Sequence, residues 1–177
     1  IDYQLDIEAA AALSQSEIGL ISASIARNIS KIAKSGKITA KRIKQLEAKS
    51  DHDTAALVEA LAEKCNKESR PWIHYGLTSN DLVDTSNSMQ MRDAIKIIQP
   101  KVSKLSLLLS KNAIKHRSVP AVGRTHGQHA SIISFGLKFA NWAAEMSTHL
   151  ERLDEIKKRV LICKTLGVVG TGSLMGK

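Results

Sequence analysis

The stretch FGLKFANWAAEMSTHLERLDEIKKRV, residues 135–160, decides the fold class of this 177-residue chain. Its large apolar side chains recur at steps of three or four residues: Phe135, Phe139, Trp142, Met146, Leu150, Leu153, Ile156 and Val160. That spacing puts them on one face of an α-helix and predicts a single helix of about 30 residues, roughly 45 Å long. Because a small globule does not cover so long a stripe, we expect an elongated bundle shared with other subunits.

The remainder of the sequence also favours helices. Apolar residues make up 43% of the chain, aromatic residues only 3%, and there are three prolines, which is typical of a folded helical protein. Helices are predicted over residues 14–36, 39–49, 51–65, 78–98 and 100–116. We therefore predict an all-α fold, with a short-helix N-terminal domain over residues 1–85 and the first part of a central long-helix bundle over residues 86–177.

Several helix boundaries have side-chain signals. Ser14 and Glu17 form a capping box, and Gly36 closes the helix that this box opens. Ser50 and Asp53 are candidate caps for the helix over 51–65. Thr78 or Ser79 is the predicted cap of the next helix, and Pro100 is expected to kink that helix or to start a new one.

Charge is distributed unevenly along the chain. Residues 1–85 hold 11 Lys and Arg against 12 Asp and Glu, whereas residues 86–177 hold 15 against 5. A basic half attracts nucleic acid, an acidic lipid surface or a small multiply charged substrate. A solvated lysine-rich helix face is the simpler alternative.

The sequence also indicates where the protein works. No apolar run approaches the ~20 residues that span a bilayer, and the first residues are acidic rather than basic, unlike a signal peptide. Cys65 and Cys163 lie far apart, so we expect two reduced thiols and a cytoplasmic protein. The absence of an initiator methionine before Ile1 suggests a processed or partial chain.

Three loops concentrate polar residues: SDHDT around His52, HYGLTSND from His74, and GRTHGQH around His126. Each precedes a predicted helix, whose N-terminus offers free amide donors to an anion. The hydroxyls of Thr78, Ser79 and Thr125 suit carboxylate or phosphate oxygens, although Ser and Thr at such positions are more often caps. A histidine in a glycine-flanked loop can act as a general acid or base near neutral pH.

Metal chemistry is disfavoured. His126 and His129 lack a third ligand at a suitable spacing. The doublet His52-Asp53 is also found in metal phosphohydrolases, but those need an earlier histidine and His52 is the first in the chain. His116 and His149 lie in predicted helices and are interpreted as structural.

The segments HYGLTSNDLVDTS (residues 74–86) and GRTHGQHASIISFGLKFANWAAEM (residues 123–146), together with the doublet at His52, resemble the motifs of adenylosuccinate lyases in the fumarase and aspartase superfamily. The motifs occur in the same order, and the resemblance runs from about residue 5 to 177. It implies β-elimination of fumarate from adenylosuccinate, giving AMP, and from the related succinyl-aminoimidazole carboxamide ribotide.

The resemblance also implies roles for individual residues. His126 would be the general acid, Thr78, Ser79 and Thr125 would hold a succinyl carboxylate, and His52, Asp53 and His74 would position the nucleotide or tune the acid. It implies a homotetramer with sites built from several subunits, and no metal or organic cofactor. The Ser-rich loop that carries the base in the family is absent from this chain, so the 177 residues alone are expected to be inactive.

Two alternatives stay open at the level of sequence. One is a basic helical module that binds nucleic acid through residues 86–177, with binding that falls steeply with salt and does not depend on His126. The other is a lyase-like helical scaffold without activity.

Overall fold

The computed structural model describes residues 1–175, which form two compact units. The first unit holds residues 1–90 and the segment from residue 162 onward, and the second holds Met91–Leu161. The elements are α1 (Asp2–Glu17), α2 (Ala23–Ala33), α3 (Ala40–Ser50), α4 (Asp53–Lys64), α5 (Ser79–Lys115), β1 (Pro120–Thr125), β2 (Gln128–Ser134) and α6 (Phe135–Val160), with short 3-10 turns at Arg70–Trp72 and Ser173–Met175. The prediction of a helical fold is confirmed, with one β-hairpin added.

The core of the first unit lies among its helices. α1 packs on α2, α3 packs on α4, and α2 also contacts α4. Ile29, Leu61 and Leu82 are completely buried there. The Cys65 thiol is buried in the same core, and this burial raises its pKa to about 11.

The predicted helix over residues 14–36 is wrong. Ser14 and Glu17 belong to the last turn of α1, which begins at Asp2. The chain turns at Gly19, where φ is 77°, and α2 starts after Ser22, whose hydroxyl accepts a hydrogen bond from the Ile25 amide at 3.4 Å. The isoleucine spacing continues across the break, and Ile21 and Ile29 are buried in the same core whereas Ile18 is exposed, so periodicity alone did not reveal the turn.

The other helix ends follow the predictions in part, since α5 begins at Ser79 as expected but without a side-chain cap from Thr78 or Ser79 within residues 1–175. Thr39 caps α3 by accepting a hydrogen bond from the Arg42 amide at 3.2 Å. The cap of α4 is His52, so the candidates Ser50 and Asp53 were wrong. α5 runs through Pro100 as one helix, so the prediction of separate helices over 78–98 and 100–116 was wrong; the missing N–H of proline costs a hydrogen bond there without ending the helix.

The hairpin of the second unit was missed by the sequence analysis, which treated this segment as an irregular connection. β1 and β2 pair antiparallel from Pro120–Ser134 to Thr125–Gln128. The pairing shifts after Gly123, because Gly123 faces Ser131 whereas Arg124 faces His129. Most of the hairpin is exposed, so its strands lack the apolar alternation from which a strand is predicted.

The end of α5 and the start of α6 complete each other's hydrogen bonds. The amides of Phe135 and Gly136 donate to the carbonyls of Val119 and His116 at 2.8 and 3.1 Å. The Ser134 hydroxyl caps α6 through the Gly136 amide at 3.1 Å and donates to the Arg117 carbonyl at 2.6 Å. The free donors of one helix end therefore meet the free acceptors of the other.

Polar contacts also join α5 and α6 at the other end of the pair. Gln99 donates to Asp154 at 2.9 Å and accepts from Lys157 at 2.6 Å. Hydrogen bonds from Lys157 and Gln99 lower the pKa of the Asp154 carboxyl. No helix within residues 1–175 is both long and apolar enough to cross a membrane.

Asp81 links three parts of the first unit. Its Oδ2 accepts hydrogen bonds from the Thr78 amide at 3.0 Å and from the Gly167 amide at 2.9 Å, and the side chain is fully buried. Gly167 has φ of 74°, and a Cβ there would come within 3.0 Å of the Gly76 carbonyl oxygen. Asp81 thus joins the start of α5 to the segment after residue 162.

We predict that Gly136→Ala destabilises the second unit by about 1–3 kcal/mol, because the added methyl group overpacks a filled contact. That methyl would overlap the Ala113 carbonyl oxygen and lie 3.0 Å from the Arg117 Cα. Asn141→Ala, at an exposed position of the same helix, is the control and should change stability by less than about 0.5 kcal/mol. Thermal unfolding followed by circular dichroism checks both, and equal midpoints would contradict the packing argument.

We predict that Asp81→Ala costs about 1.5–3 kcal/mol of folding free energy, because it removes a charged acceptor and leaves two amides unpaired. The matched control is Asp84→Ala, whose exposed ion pair with Lys164 is worth about 0–1 kcal/mol. Urea unfolding measures the two losses. Amide hydrogen exchange at Gly167 should accelerate in the first variant alone, and unchanged exchange would exclude the proposed link.

Candidate active site

A cleft of about 460 Å³ lies in the first unit where α4 and α5 begin. Its lining residues are His52, Thr54, Ala55, Val58, Glu59, His74, Leu77, Thr78, Ser79 and Val168. Four of the seven residues singled out from the sequence therefore share one cleft: His52, His74, Thr78 and Ser79. A second cavity of about 460 Å³ takes half of its lining residues from α1 and contains none of the seven.

His52 enters the cleft as the cap of α4. Its Nδ1 accepts a hydrogen bond from the Ala55 amide at 3.3 Å, which leaves the ring proton on Nε2. The Asp53 carboxylate lies 3.6 Å from the same Nδ1, but an ion pair would need a proton where the amide already donates. The hydrogen bond to Ala55 therefore describes the ring better.

Asp53 does not line the cleft. Its side chain is mostly exposed and borders a separate hollow beside the first residues of α1. Its Oδ1 accepts a hydrogen bond from the Thr54 amide at 2.6 Å. The structure thus separates two neighbours in sequence, with His52 facing one cavity and Asp53 facing another.

His74 is held in an unusual backbone conformation with φ of 61°. Its amide donates to Glu8 Oε2 at 2.9 Å, and its Nδ1 lies 2.6 Å from Glu8 Oε1. The next residue is supported from the same helix, because the Gln15 side chain donates to the Tyr75 carbonyl at 2.8 Å. Two polar side chains of α1 therefore fix the loop that places His74 at the cleft.

Thr78 and Ser79 lie at the N-terminal end of α5 and are half-buried. Among residues 1–175 neither hydroxyl makes a hydrogen bond. The helix start adds its partial positive charge to these donors. Because the cleft has no Lys or Arg among its lining residues, any anion there would be held by hydroxyls, imidazoles and amides.

Thr125 and His126 lie in the second unit, at the tip of the hairpin. His126 and Gly127 form the two-residue turn with φ of 50° and 73°, which matches a type I′ turn. Both Thr125 and His126 are exposed. Within the described part of the chain the His126 ring makes no hydrogen bond or ion pair.

Left-handed backbone conformations mark all three motifs. In residues 1–175 the non-glycine residues with positive φ are Asp51, His74 and His126. Two are predicted site histidines, and Asp51 directly precedes the third, His52. Asp51 is the left-handed C-cap of α3 and His126 belongs to the hairpin turn, which are common places for this conformation, whereas the backbone of His74 is held by the buried Glu8 carboxylate.

Two acids that were not among the predicted site residues support the loop from the core side. Glu8 and Asp81 are buried acids whose oxygens accept hydrogen bonds from the two ends of the loop over residues 74–81. A signal for Glu8 existed, because Glu8 and Gln15 are seven residues apart and therefore share one face of α1.

Across residues 1–175 no group of three or more His, Cys, Asp or Glu side chains is arranged to hold a metal ion.

Known proteins resemble this chain along its whole length. It is 43% identical to adenylosuccinate lyase of Methanocaldococcus jannaschii, in an alignment that covers 100% of this chain. It is 38% identical to N-acetyl-S-(2-succino)cysteine lyase of Enterococcus italicus, in an alignment that covers 99% of this chain. It spans 38% of the length of each relative. The crystal structure of fumarate lyase from Mesorhizobium sp. BNC1 superposes with a TM-score of 0.91 at 30% identity, covering 99% of this chain and 41% of that one.

The sequence profile of the family described as Lyase matches residues 3–176. The resemblance to adenylosuccinate lyases, first noted in three motifs, is confirmed by the relatives. The chain belongs to the Lyase family.

Proposed function

We propose that the protein containing this chain is a C–N lyase that eliminates fumarate from adenylosuccinate, giving AMP, and from succinyl-aminoimidazole carboxamide ribotide. The observation that supports this proposal most is the cleft that gathers His52, His74, Thr78 and Ser79. It belongs to a chain that is 43% identical to an adenylosuccinate lyase. The proposal assigns the cleft to substrate binding.

In this proposal Thr78 and Ser79 bind a carboxylate of the succinyl group. Their hydroxyls are half-buried and without partners among residues 1–175, and the start of α5 supplies free amides beside them. Charge that develops on this carboxylate when the neighbouring carbon loses its proton is stabilised by donors already in place. Thr125 joins them as a further donor.

His126 is the proposed general acid. A base outside the assigned residues removes a proton from the carbon next to the carboxylate, and the electron pair forms the double bond of fumarate as the C–N bond breaks. The leaving nitrogen keeps the electrons of that bond and takes a proton from His126. An exposed imidazole with no partner in the described chain has its proton available for such a transfer.

His52 and His74 are proposed to contact the nucleotide, with Asp53 acting at the edge of the site through its position beside His52. We also infer a homotetramer in which sites take residues from several subunits. Exposed apolar side chains of the second unit, including Leu107, Ile114 and Trp142, support an assembly that covers them.

A second candidate substrate follows from the relative at 38% identity, which is named N-acetyl-S-(2-succino)cysteine lyase. Its named substrate also contains a succinyl group, joined to sulfur instead of nitrogen. Thr78 and Ser79 would bind the succinyl carboxylate in either case. The difference must therefore lie in the contacts to the leaving group.

Turnover of the two substrates by the intact protein distinguishes the candidates. We predict that adenylosuccinate is cleaved with a kcat/KM at least tenfold higher than that for N-acetyl-S-(2-succino)cysteine, because the imidazoles of the cleft serve a nucleotide. Fumarate formation at matched substrate concentrations, followed by ultraviolet absorbance, measures both. A preference for the thioether would support the second candidate, and no fumarate from either would contradict both.

We predict that His126→Ala in the intact protein lowers kcat by about 10²–10⁴, the usual contribution of a general acid. His129→Ala is the matched control, since His129 is exposed on the same hairpin three residues later, and its kcat should stay within about twofold. Steady-state kinetics with adenylosuccinate check both variants. Equal kcat values in the two would remove His126 from the role.

A further inference from the structure

Glu8 is a buried acid that no motif pointed to. It lies on α1 with its side chain 1% exposed, and both of its carboxylate oxygens face His74. Burying a carboxylate is costly unless its hydrogen bonds are made. A residue whose only task was to fill the core would be apolar, so the two contacts to His74 give a reason for an acid at this position.

The two oxygens make different contacts. Oε2 accepts a hydrogen bond from the His74 amide at 2.9 Å, and this bond holds the backbone at φ of 61°. Oε1 lies 2.6 Å from Nδ1 of the ring. An anchor for the backbone alone would need only the first contact. The second fixes the orientation of the imidazole and the position of its proton.

The position of the proton follows from the chemistry of the pair. A carboxylate only accepts hydrogen bonds, so the short contact requires a hydrogen on Nδ1. In the neutral ring Nε2 then has a lone pair and accepts. His52 is the reverse case, because its Nδ1 accepts from the Ala55 amide and its proton is on Nε2. The two imidazoles that line the cleft therefore have opposite tautomers.

We propose that Glu8 is a positioning residue that holds His74 as the Nδ1–H tautomer, so that the cleft presents an acceptor from His74 and a donor from His52. This proposal rests on the proposed function, because it assigns the two imidazole rings to substrate recognition. A bound group that both accepts and donates, such as an amide or an amino-substituted heterocycle, matches this pair of imidazoles. If His52 and His74 had the same tautomer, they would offer two donors or two acceptors and would not match such a group.

The tautomer can be read directly in the protein. Long-range 15N–1H correlation spectra of the histidine rings distinguish Nδ1–H from Nε2–H, and the His74 signals are identified by their loss in His74→Gln. At a pH where the ring is neutral, we expect Nδ1–H for His74 in the unmodified protein. An Nε2–H tautomer there would overturn the proposal, and this measurement needs neither a variant of Glu8 nor a substrate.

The variant Glu8→Gln tests whether the Glu8 carboxylate sets the tautomer of His74. Its amide can accept from the His74 backbone with its oxygen and donate to Nδ1 with its nitrogen, so we expect the ring to change to Nε2–H while the fold is kept. Glu17→Gln, at an exposed position of the same helix, is the control and should leave the tautomer unchanged. Retention of Nδ1–H in a folded Glu8→Gln protein would overturn the proposal.

Steady-state kinetics distinguish a role of Glu8 in positioning His74 from a role in folding stability alone. In the intact lyase, Glu8→Gln should lower kcat/KM for adenylosuccinate at least tenfold, at a temperature where the protein is fully folded, and Glu8→Asp should recover part of the loss because it restores a carboxylate. Unchanged kcat/KM in the Gln variant with an altered tautomer would show that the tautomer does not matter for the reaction. If the unmodified protein has no lyase activity, the proposed function fails while the spectra still decide the role of Glu8.

Discussion

The loop over residues 74–81 depends on two buried carboxylates, one at each end. Glu8 accepts the amide and ring contacts of His74, and Asp81 accepts the amides of Thr78 and Gly167. Backbone amides that are buried without partners cost about 1–3 kcal/mol each, so these acids determine which conformation the loop adopts. The cleft residues between the two acids are therefore placed by side chains that do not themselves line the cleft.

This arrangement explains how a cleft without Lys or Arg can be proposed to bind an anion. The two acids accept hydrogen bonds from backbone amides of the loop and so fix the backbone that carries the cleft residues. The backbone at the start of α5, which carries the Thr78 and Ser79 hydroxyls, is held in place by Asp81 before any ligand arrives. Donors that need no rearrangement stabilise developing charge better than mobile ones. The excess of positive charge lies in residues 86–177, where it would favour the approach of the anionic substrate proposed above.

The sequence predicted the parts of the structure that have a strong period or a distinctive motif. The long apolar stripe of α6 is such a signal, and so is the helix predicted from Thr39, which the structure has as α3. Within residues 1–175 neither the Thr78 nor the Ser79 hydroxyl caps α5, although four of the seven predicted residues line one cleft. α1 was missed because its buried face has only two large apolar residues, Leu5 and Ile7, and is completed by two alanines together with Glu8 and Gln15, which do not form an apolar stripe. The hairpin was missed because its side chains are exposed. The contacts of Glu8 with His74 and of Asp81 with Gly167 join residues that are 66 and 86 positions apart, so a local pattern can point to a polar residue on a buried helix face but does not identify its distant partner.

The two site histidines with left-handed backbones are supported in different ways, and the difference fits the roles proposed for them. His74 is fixed by two hydrogen bonds to one buried acid, so its ring has one orientation and one proton position. His126 owes its conformation to a hairpin turn shared with Gly127, and its ring is unconstrained within residues 1–175. A recognition group gains from being fixed, because a fixed donor or acceptor discriminates between ligands. A general acid must deliver its proton to an atom that moves as the bond breaks, and a ring free to rotate on a rigid turn meets that requirement.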